Sequence, residues 1–473
     1  MANKLELTWY GKDEPILVEP RLLIENAALS NTAADPDTEN MLIHGDNLLA
    51  LKALESKYAG QVKCIYIDPP YNTGSAFEHY DDNLEHSQWL QLIRPRLEIL
   101  WRLLADEGSL WISIDDDEQA YMKVLCDELF GRNSFVASII WQKRTSPDMR
   151  AIISDGHDYV LVYAKNRELF KAVRSKIPLT EDQATNYKNP DNDPRGPWAS
   201  SDFTAQGWRP NQMYTIITPS GKVVTPPEGR CWRQLESVYK QLLEDNRFWF
   251  GADGAGVPRK KTFLSESEGI TPWTWWPNKE VGHNQEAKKE IIALFSAAHA
   301  FDTPKPERLI ERIIHIATNP GDLVLDSFLG SGTTAAVAHK MGRRYIGIEM
   351  GSHAYTHCKV RLDKVIAGED PGGITKSAKW EKGGGYRFYE LAPTLINRDD
   401  FGEYVINEEY DADMLAAGVA LHEGFTYHPD GNLFWKQSVG NEKSYLFVTT
   451  RHLNNDYLDS IQSTMEEDEY LTI

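Results

Sequence analysis

Cysteine is scarce in this chain of 473 residues. The four that occur, Cys64, Cys126, Cys231 and Cys358, are far apart and form no CxxC pair. Zinc sites need clustered ligands and disulfide scaffolds are denser in cysteine, so four reduced structural thiols are expected, and no metal centre. No uncharged apolar run approaches the ~18 residues of a membrane helix. The opening Met1-Ala2-Asn3-Lys4-Leu5-Glu6 lacks the charged-then-apolar pattern of a signal peptide. Together these absences predict a cytoplasmic protein without membrane association. Positive charge is also short: 50 Lys and Arg against 70 Asp and Glu, a net of -20, which speaks against a general nucleic-acid binder.

That deficit is uneven. From Leu391 to Ile473 there are 4 basic and 16 acidic residues, whereas Lys171–Glu290 carries 17 basic and 15 acidic. The middle is therefore slightly basic within an acidic protein. Hydrophobic residues make up 41% and charged residues 25%, ordinary for a globular chain of two to four domains.

Short β-rich runs alternate with helical periodicity. Met41-Leu42-Ile43, Val62–Ile67, Ser109–Ile114 and Tyr159–Ala164 read as strands, and 48–54, 86–105 and 117–130 as helices. Pro95 is expected to kink or divide the second helix. Residues 171–280 lose this regularity and are rich in Pro, Gly, Trp and Asn. Helices return at 285–297, 305–318, 333–341 and 352–367, with strands at 322–326 and 345–349. Such alternation predicts a mainly parallel α/β sheet. Residues 368–385 look like a Gly- and Lys-rich linker. The ending Glu469-Tyr470-Leu471-Thr472-Ile473 is strand-like, as expected of a shortened chain.

Two motifs carry chemistry. In Val324-Leu325-Asp326-Ser327-Phe328-Leu329-Gly330-Ser331-Gly332-Thr333-Thr334 an apolar strand runs into Gly-x-Gly and a helix begins. Glycines there let a cofactor approach the backbone; an ordinary tight turn is the plain alternative. Thr333 follows Gly332 where a phosphate-binding loop would need lysine, which excludes an NTPase. Glu349 ends the next strand, placed to bind ribose hydroxyls, or else is a simple exposed strand-end acid. Asp68-Pro69-Pro70-Tyr71 follows a buried-type strand. Its two prolines fix the backbone and remove two N–H donors. An acid, free carbonyls and an aromatic ring suit a flat, amino-bearing base; a rigid turn is the alternative.

Asp-Pro-Pro-Tyr followed, after a long insert, by Phe-x-Gly-x-Gly-Thr-Thr resembles the β group of S-adenosylmethionine-dependent DNA adenine-N6 methyltransferases. Gly45-Asp46-Asn47-Leu48, Trp111–Asp116, His157–Lys165 and Val281–Ala287 further resemble the modification (Mod) subunits of type III restriction systems, over about residues 40–390. The resemblance implies a Rossmann-like α/β methyltransferase sheet with helices on both faces, interrupted by a mixed target-recognition insert and followed by a C-terminal α+β extension. The corresponding divisions are 1–40 (N-terminal extension), 41–170 (catalytic half), 171–280 (insert), 281–367 (cofactor half), 368–390 (linker) and 391–473 (acidic module).

It also implies S-adenosylmethionine as cofactor, held by Asp326, Phe328, Gly330, Gly332, Thr333 and Glu349, with Asp46, Lys305 and Pro306 in support. Gly-Asp-Asn is equally a helix cap, and Phe301–Pro306 equally a proline-set helix start. Asp68, Pro69, Pro70 and Tyr71 become catalytic residues acting on an adenine flipped from double-stranded DNA. Cytosine-C5 enzymes need a nucleophilic cysteine, commonly after proline, and no Pro-Cys occurs. Enzymes of cytosine N4 usually carry Ser-Pro-Pro-Tyr, so Asp68 favours adenine. The alternatives are cytosine-N4 methylation and a DNA-binding member that has lost activity. Lys143, Arg144, Arg209, Arg230, Arg233, Arg259, Lys260 and Lys261 are the candidate DNA contacts, with Trp273, Trp275 and Trp276 available to stack; each is equally readable as a solvated charge or packed aromatic. A homodimer and a helicase-nuclease restriction subunit are the implied partners.

Overall fold

Apolar runs too short for helices build one ten-stranded sheet. The computed structural model describes residues 6–72, 85–296 and 301–473. Residues 1–5, part of the signal-peptide reading, and Ala297, the last residue of an expected helix, lie outside them. The strands are β1 (Leu23–Glu25), β2 (Met41–His44), β3 (Val62–Ile67), β4 (Leu104–Ile114), β5 (Phe135–Gln142), β6 (His157–Ala164), β7 (Trp275–Trp276), β8 (Leu323–Asp326), β9 (Arg344–Glu349) and β10 (Arg387–Leu391). Their spatial order is β1-β10-β2-β9-β8-β3-β4-β6-β5-β7. The centre, from β10 to β4, is parallel; β6 runs antiparallel to both β4 and β5, and β1 is antiparallel to β10.

Alternation along the central strands explains the two helical layers. Ile65, Ile67, Leu323 and Leu325 join one core with Leu51, Leu97, Leu100 and Met122. These come from α1 (Asn47–Tyr58), α2 (His86–Leu103) and α3 (Gln119–Phe130). Cys64, Tyr66 and Val324 are equally buried but point to the opposite face. There α5 (Glu307–Ala317), α6 (Thr333–Lys340) and α7 (Val360–Ala367) pack on one another, preceded in the chain by α4 (Asn284–Phe295). Pro95 does not divide α2: the helix is continuous through it and the ring is buried.

Residues 176–272 form a unit of their own, inside the 171–280 read from composition. Short antiparallel pieces, Trp198–Asp202 with Arg259–Phe263 and Thr204–Gln206 with Arg230–Trp232, frame a core of Phe203, Trp232, Tyr239 and Phe248. The other unit includes everything else, down to Ile473. Residues 368–390 are not a free linker. Asp370 and Ile374 are buried, and Arg387–Leu391 is strand β10 beside β2. Part of the N-terminal extension likewise enters the sheet as β1. The acidic end holds a helix, Ala412–Glu423, and a four-stranded sheet over Trp435, Phe447 and Ile461. Among the described residues, no helix is long and apolar enough to cross a membrane.

Candidate active site

The two motifs meet at the centre of the sheet. β8 leads through α6 to β9 on one side, whereas β3 leads through α2 to β4 on the other. Adjacent parallel strands whose connections diverge leave a crevice at their carboxyl ends. Leu325 pairs with Ile65, so Asp326 and Asp68 emerge beside each other although 258 positions separate them in sequence.

Asp68 Oδ2 is paired with the Lys305 ammonium. Asp68 Oδ1 and the Tyr71 hydroxyl are both buried near each other, and neither makes a well-formed hydrogen bond. Lys305 Nζ lies 5.0 Å from the centre of the Tyr71 ring. Burial, and then the Asp68 carboxylate, push the Tyr71 phenol well above its ordinary pKa. The Pro70 carbonyl already accepts from Trp89 Nε1 at 2.8 Å. Of the two proline carbonyls, Pro69 is thus the better candidate for a second substrate proton. Asn72, at φ 60°, closes the turn and donates to the buried Glu118 at 2.7 Å.

The cofactor candidates are drawn together by backbone bonds. Glu349 Oε2 accepts from Gly330 N at 2.7 Å and Oε1 from Gly351 N at 2.9 Å. A carboxylate has about four acceptor sites, so ribose hydroxyls can still be served. Gly332, at φ 81°, starts α6 in the left-handed region. Asp326 accepts from Phe328 N at 2.9 Å and Thr334 Oγ1 at 2.6 Å; burial pushes its carboxyl up to about 7. The unpartnered Ser327 hydroxyl is buried beside it. Orphaned polar atoms, a ribose-type acid and glycine-lined backbone at a switch point fit an adenosyl cofactor.

Several expected roles shift. Asp46 caps α1, accepting from Leu48 N and Leu49 N, and pairs with Arg96 at 3.1 Å. Its neighbour Asn47 reaches the crevice, donating to Ser327 O at 2.7 Å. Lys305 meets Asp68 instead, and Pro306 is buried at the start of α5. Phe328 packs in the core. The Thr333 hydroxyl accepts from buried Arg361 at 2.9 Å, so that side chain faces the interior. Arg361 also bonds Glu307 (2.8 Å), and Lys340 bonds both Glu307 (2.8 Å) and Asp370 (2.7 Å). Sequence reasoning passed over this buried cluster, which ties the glycine loop to the helix following Lys305. Its visible signal is Arg361 on the apolar stripe of Cys358, Leu362 and Val365.

Two proposed DNA contacts are removed by burial. Lys143 is held by Asp158 at 2.6 Å and Asp155 at 2.8 Å. Lys261 is fully buried between Asp191 and Asp193. Arg230 bonds Thr204 on its partner strand and Asp202 on the neighbouring sheet, and Lys260 is half-buried. Arg144, Arg209, Arg233 and Arg259 remain exposed. Trp276 is buried against Trp111, whereas Trp273 and Trp275 are exposed.

Comparison with known proteins places this geometry. The type III restriction-modification enzyme StyLTI Mod subunit of Salmonella typhimurium is 36% identical over 359 residues, covering 69% of this chain and 54% of the relative. The probable type III restriction-modification enzyme HindVI Mod subunit of Haemophilus influenzae is 31% identical over 418 residues, covering 75% and 54%. The chain spans about half the length of these two relatives. The type II methyltransferase M.EcaI of Enterobacter cloacae is 29% identical over 394 residues and matches 81% of each chain. The family model described as DNA methylase matches residues 62–359, from the strand before Asp68 to the helix after Glu349. With both motifs and the adjacent strands β3 and β8 that carry them inside that match, the chain belongs to the DNA methylase family.

Proposed function

We propose that this chain transfers a methyl group from S-adenosylmethionine to N6 of an adenine flipped out of double-stranded DNA, as a Mod-like, site-specific methyltransferase. The observation that carries the reading is Asp68 Oδ1 at the switch point, buried beside Tyr71 without a well-formed hydrogen bond while Lys305 occupies Oδ2. S-adenosylmethionine, when bound, supplies a methyl group already activated by its sulfonium. The adenine amine is a weak nucleophile because its lone pair is delocalised into the ring. Asp68 Oδ1 accepts one amine proton in a hydrogen bond, and the Pro69 carbonyl accepts the other. Both contacts draw the nitrogen toward sp³ and aim its lone pair. Tyr71 offers its ring face to the base. Gly330, Gly332, Asp326 and Glu349 hold the adenosyl group, with Ser327 and Asn47 beside them.

The reading extends to a cytoplasmic homodimer that joins a helicase-nuclease subunit; the relatives, named Mod subunits of restriction-modification enzymes, support a partner subunit. The test supplies labelled S-adenosylmethionine and unmethylated DNA, followed by nucleoside mass spectrometry and single-molecule sequencing. N6-methyladenine in one motif is expected. N4-methylcytosine would replace adenine by cytosine as the substrate, and DNA binding without transfer would leave a binding member only. Asp68→Ala should lower transfer about 100- to 1,000-fold while cofactor binding by calorimetry is nearly retained. Full activity in that variant would overturn the role of Asp68.

A further inference from the structure

The loop between β5 and β6 rises from the carboxyl edge that also carries Asp68. Its stem is fixed. Lys143 N donates to Gly156 O at 3.0 Å, and the Lys143 ammonium is held by Asp155 and Asp158. Asp158 stands near the catalytic pair: burial raises its pKa, while Lys143 and then Lys305 oppose, and Asp68 adds to the rise. The strand registers agree with this, because Ile67 pairs with Ile112 and Ile112 with Leu161, three residues after Asp158. A cleft of about 290 Å³ opens beside the stem, lined by Arg144, Thr145, Pro147, Ser154, His157 and Trp275 among others.

Beyond the cleft the loop turns over with its apolar side chains outward. Met149, Ile152 and Ile153 are 91%, 103% and 90% exposed. Three large apolar groups together at a tip, in full contact with water, mark a contact surface. The tip is braced: Asp148 N donates to Ser154 Oγ at 2.8 Å, and Asp148 pairs with Arg150 at 2.9 Å. Arg150 lies within the tip, between Met149 and Ile152, and Arg144 at the stem; both are exposed, each beside a surface aspartate, Asp148 and Asp155. Apolar side chains presented beside exposed arginines suit entry between base steps, the arginines exchanging weak surface pairs with aspartate for phosphates while the apolar groups replace stacking.

We propose that the Met149–Ile153 tip is a wedge that enters the DNA base stack where the target adenine leaves it. The proposal rests on the adenine-methyltransferase reading above and adds how the base is made to leave. A flipped base leaves a gap opposite its partner, and filling that gap with Ile152 and Ile153 lowers the cost of flipping. Asp68 acts only on the base after it has left the stack.

The experiment begins with the unsubstituted protein, whose methylated motif is read by sequencing. Absence of methylation there counts against the transferase reading before the loop is touched. An Ile152→Ser/Ile153→Ser variant, and Ile152→Ser alone, are then compared on two duplexes. One is fully paired, and the other has the target adenine opposite an abasic site, where no partner resists flipping. The expected loss of kcat/KM is about tenfold greater on the paired duplex. Equal losses on both, or no loss on the paired duplex, overturn the proposal. Equal losses accompanied by a fall in mass by light scattering would identify the tip as a contact between copies, which also overturns it. All four native cysteines are buried, so Ile152→Cys accepts a polarity-sensitive dye selectively. Its emission should shift to the blue on adding duplex DNA; an unmoved emission overturns the proposal even if transfer is never seen.

Discussion

Replacing Arg361 by methionine isolates what the buried ionic cluster contributes. Glu307, Lys340, Arg361 and Asp370 are each no more than 3% exposed. Two cations and two anions cancel, so the cluster is neutral as built. Arg361→Met keeps an unbranched apolar stem of similar reach and limits the cavity left behind. It leaves Glu307 and Asp370 sharing Lys340 alone, and takes the donor from Thr333 Oγ1. Removing one partner of a buried ion pair costs about 3–5 kcal/mol, because the remaining charge stays in a poorly solvating interior. Glu307→Gln alone leaves the opposite imbalance. The double variant restores neutrality through Lys340 and Asp370, so the two losses should fall short of additivity by about 2 kcal/mol. Urea unfolding followed by tryptophan emission measures all three. Raising salt from about 0.1 to 1 M should leave the Arg361→Met deficit nearly unchanged, since buried pairs are screened little. A single-variant loss below about 1 kcal/mol, or strict additivity in the double variant, would refute the account.

Two further outcomes follow from the site. Trp89→Phe removes the indole donor from the Pro70 carbonyl and should cost about 1–3 kcal/mol in stability while loosening the turn that aims Asp68; methyl transfer should fall about tenfold, and unchanged transfer in a correctly folded variant would contradict this. Asp326 is an acid raised to about 7, chiefly by burial. A raised acid favours the protonated form on folding, so its contribution is full below the ordinary carboxyl range and is lost as pH rises through about 7. Melting temperatures from pH 4 to 8 should therefore decline less steeply in Asp326→Asn than in the parent, and parallel slopes would rule the effect out.

The sequence is most legible where local pattern and global position agree. Val62–Ile67 was readable as a strand because a β-branched run ends abruptly at two prolines, and the sheet uses those same residues. The motifs themselves announce the crevice, since strand, turn and chemistry are contiguous in each. What escaped was set by side chains distant in sequence. Lys143 and Lys261 read as phosphate contacts because their aspartate partners lie elsewhere in the chain. For Lys261 a clue existed: period-two alternation places it on the face of Phe263, which is fully buried. Pro95 was expected to break α2, but its ring packs in the core and tertiary packing outweighs one missing backbone bond. The 368–390 stretch has linker composition, yet Gly373 allows the chain to pass so close to Glu307 that a Cβ there would overlap its carboxylate. Composition reports flexibility; it does not report an ion pair waiting across the fold.

The adjacency of β3 and β8 has a temporal consequence. The strand that ends in Asp68 is synthesised early, and its neighbour emerges only after the whole insert has been made. Contacts of such sequence separation form late and slowly, because a long loop must close before they are rewarded. A nascent chain that has passed Asp68 therefore carries one side of the crevice, with β3 unpaired along the edge that β8 later occupies. The crevice is complete only once β8 and then β9, later in the chain, fill the space between β3 and β2.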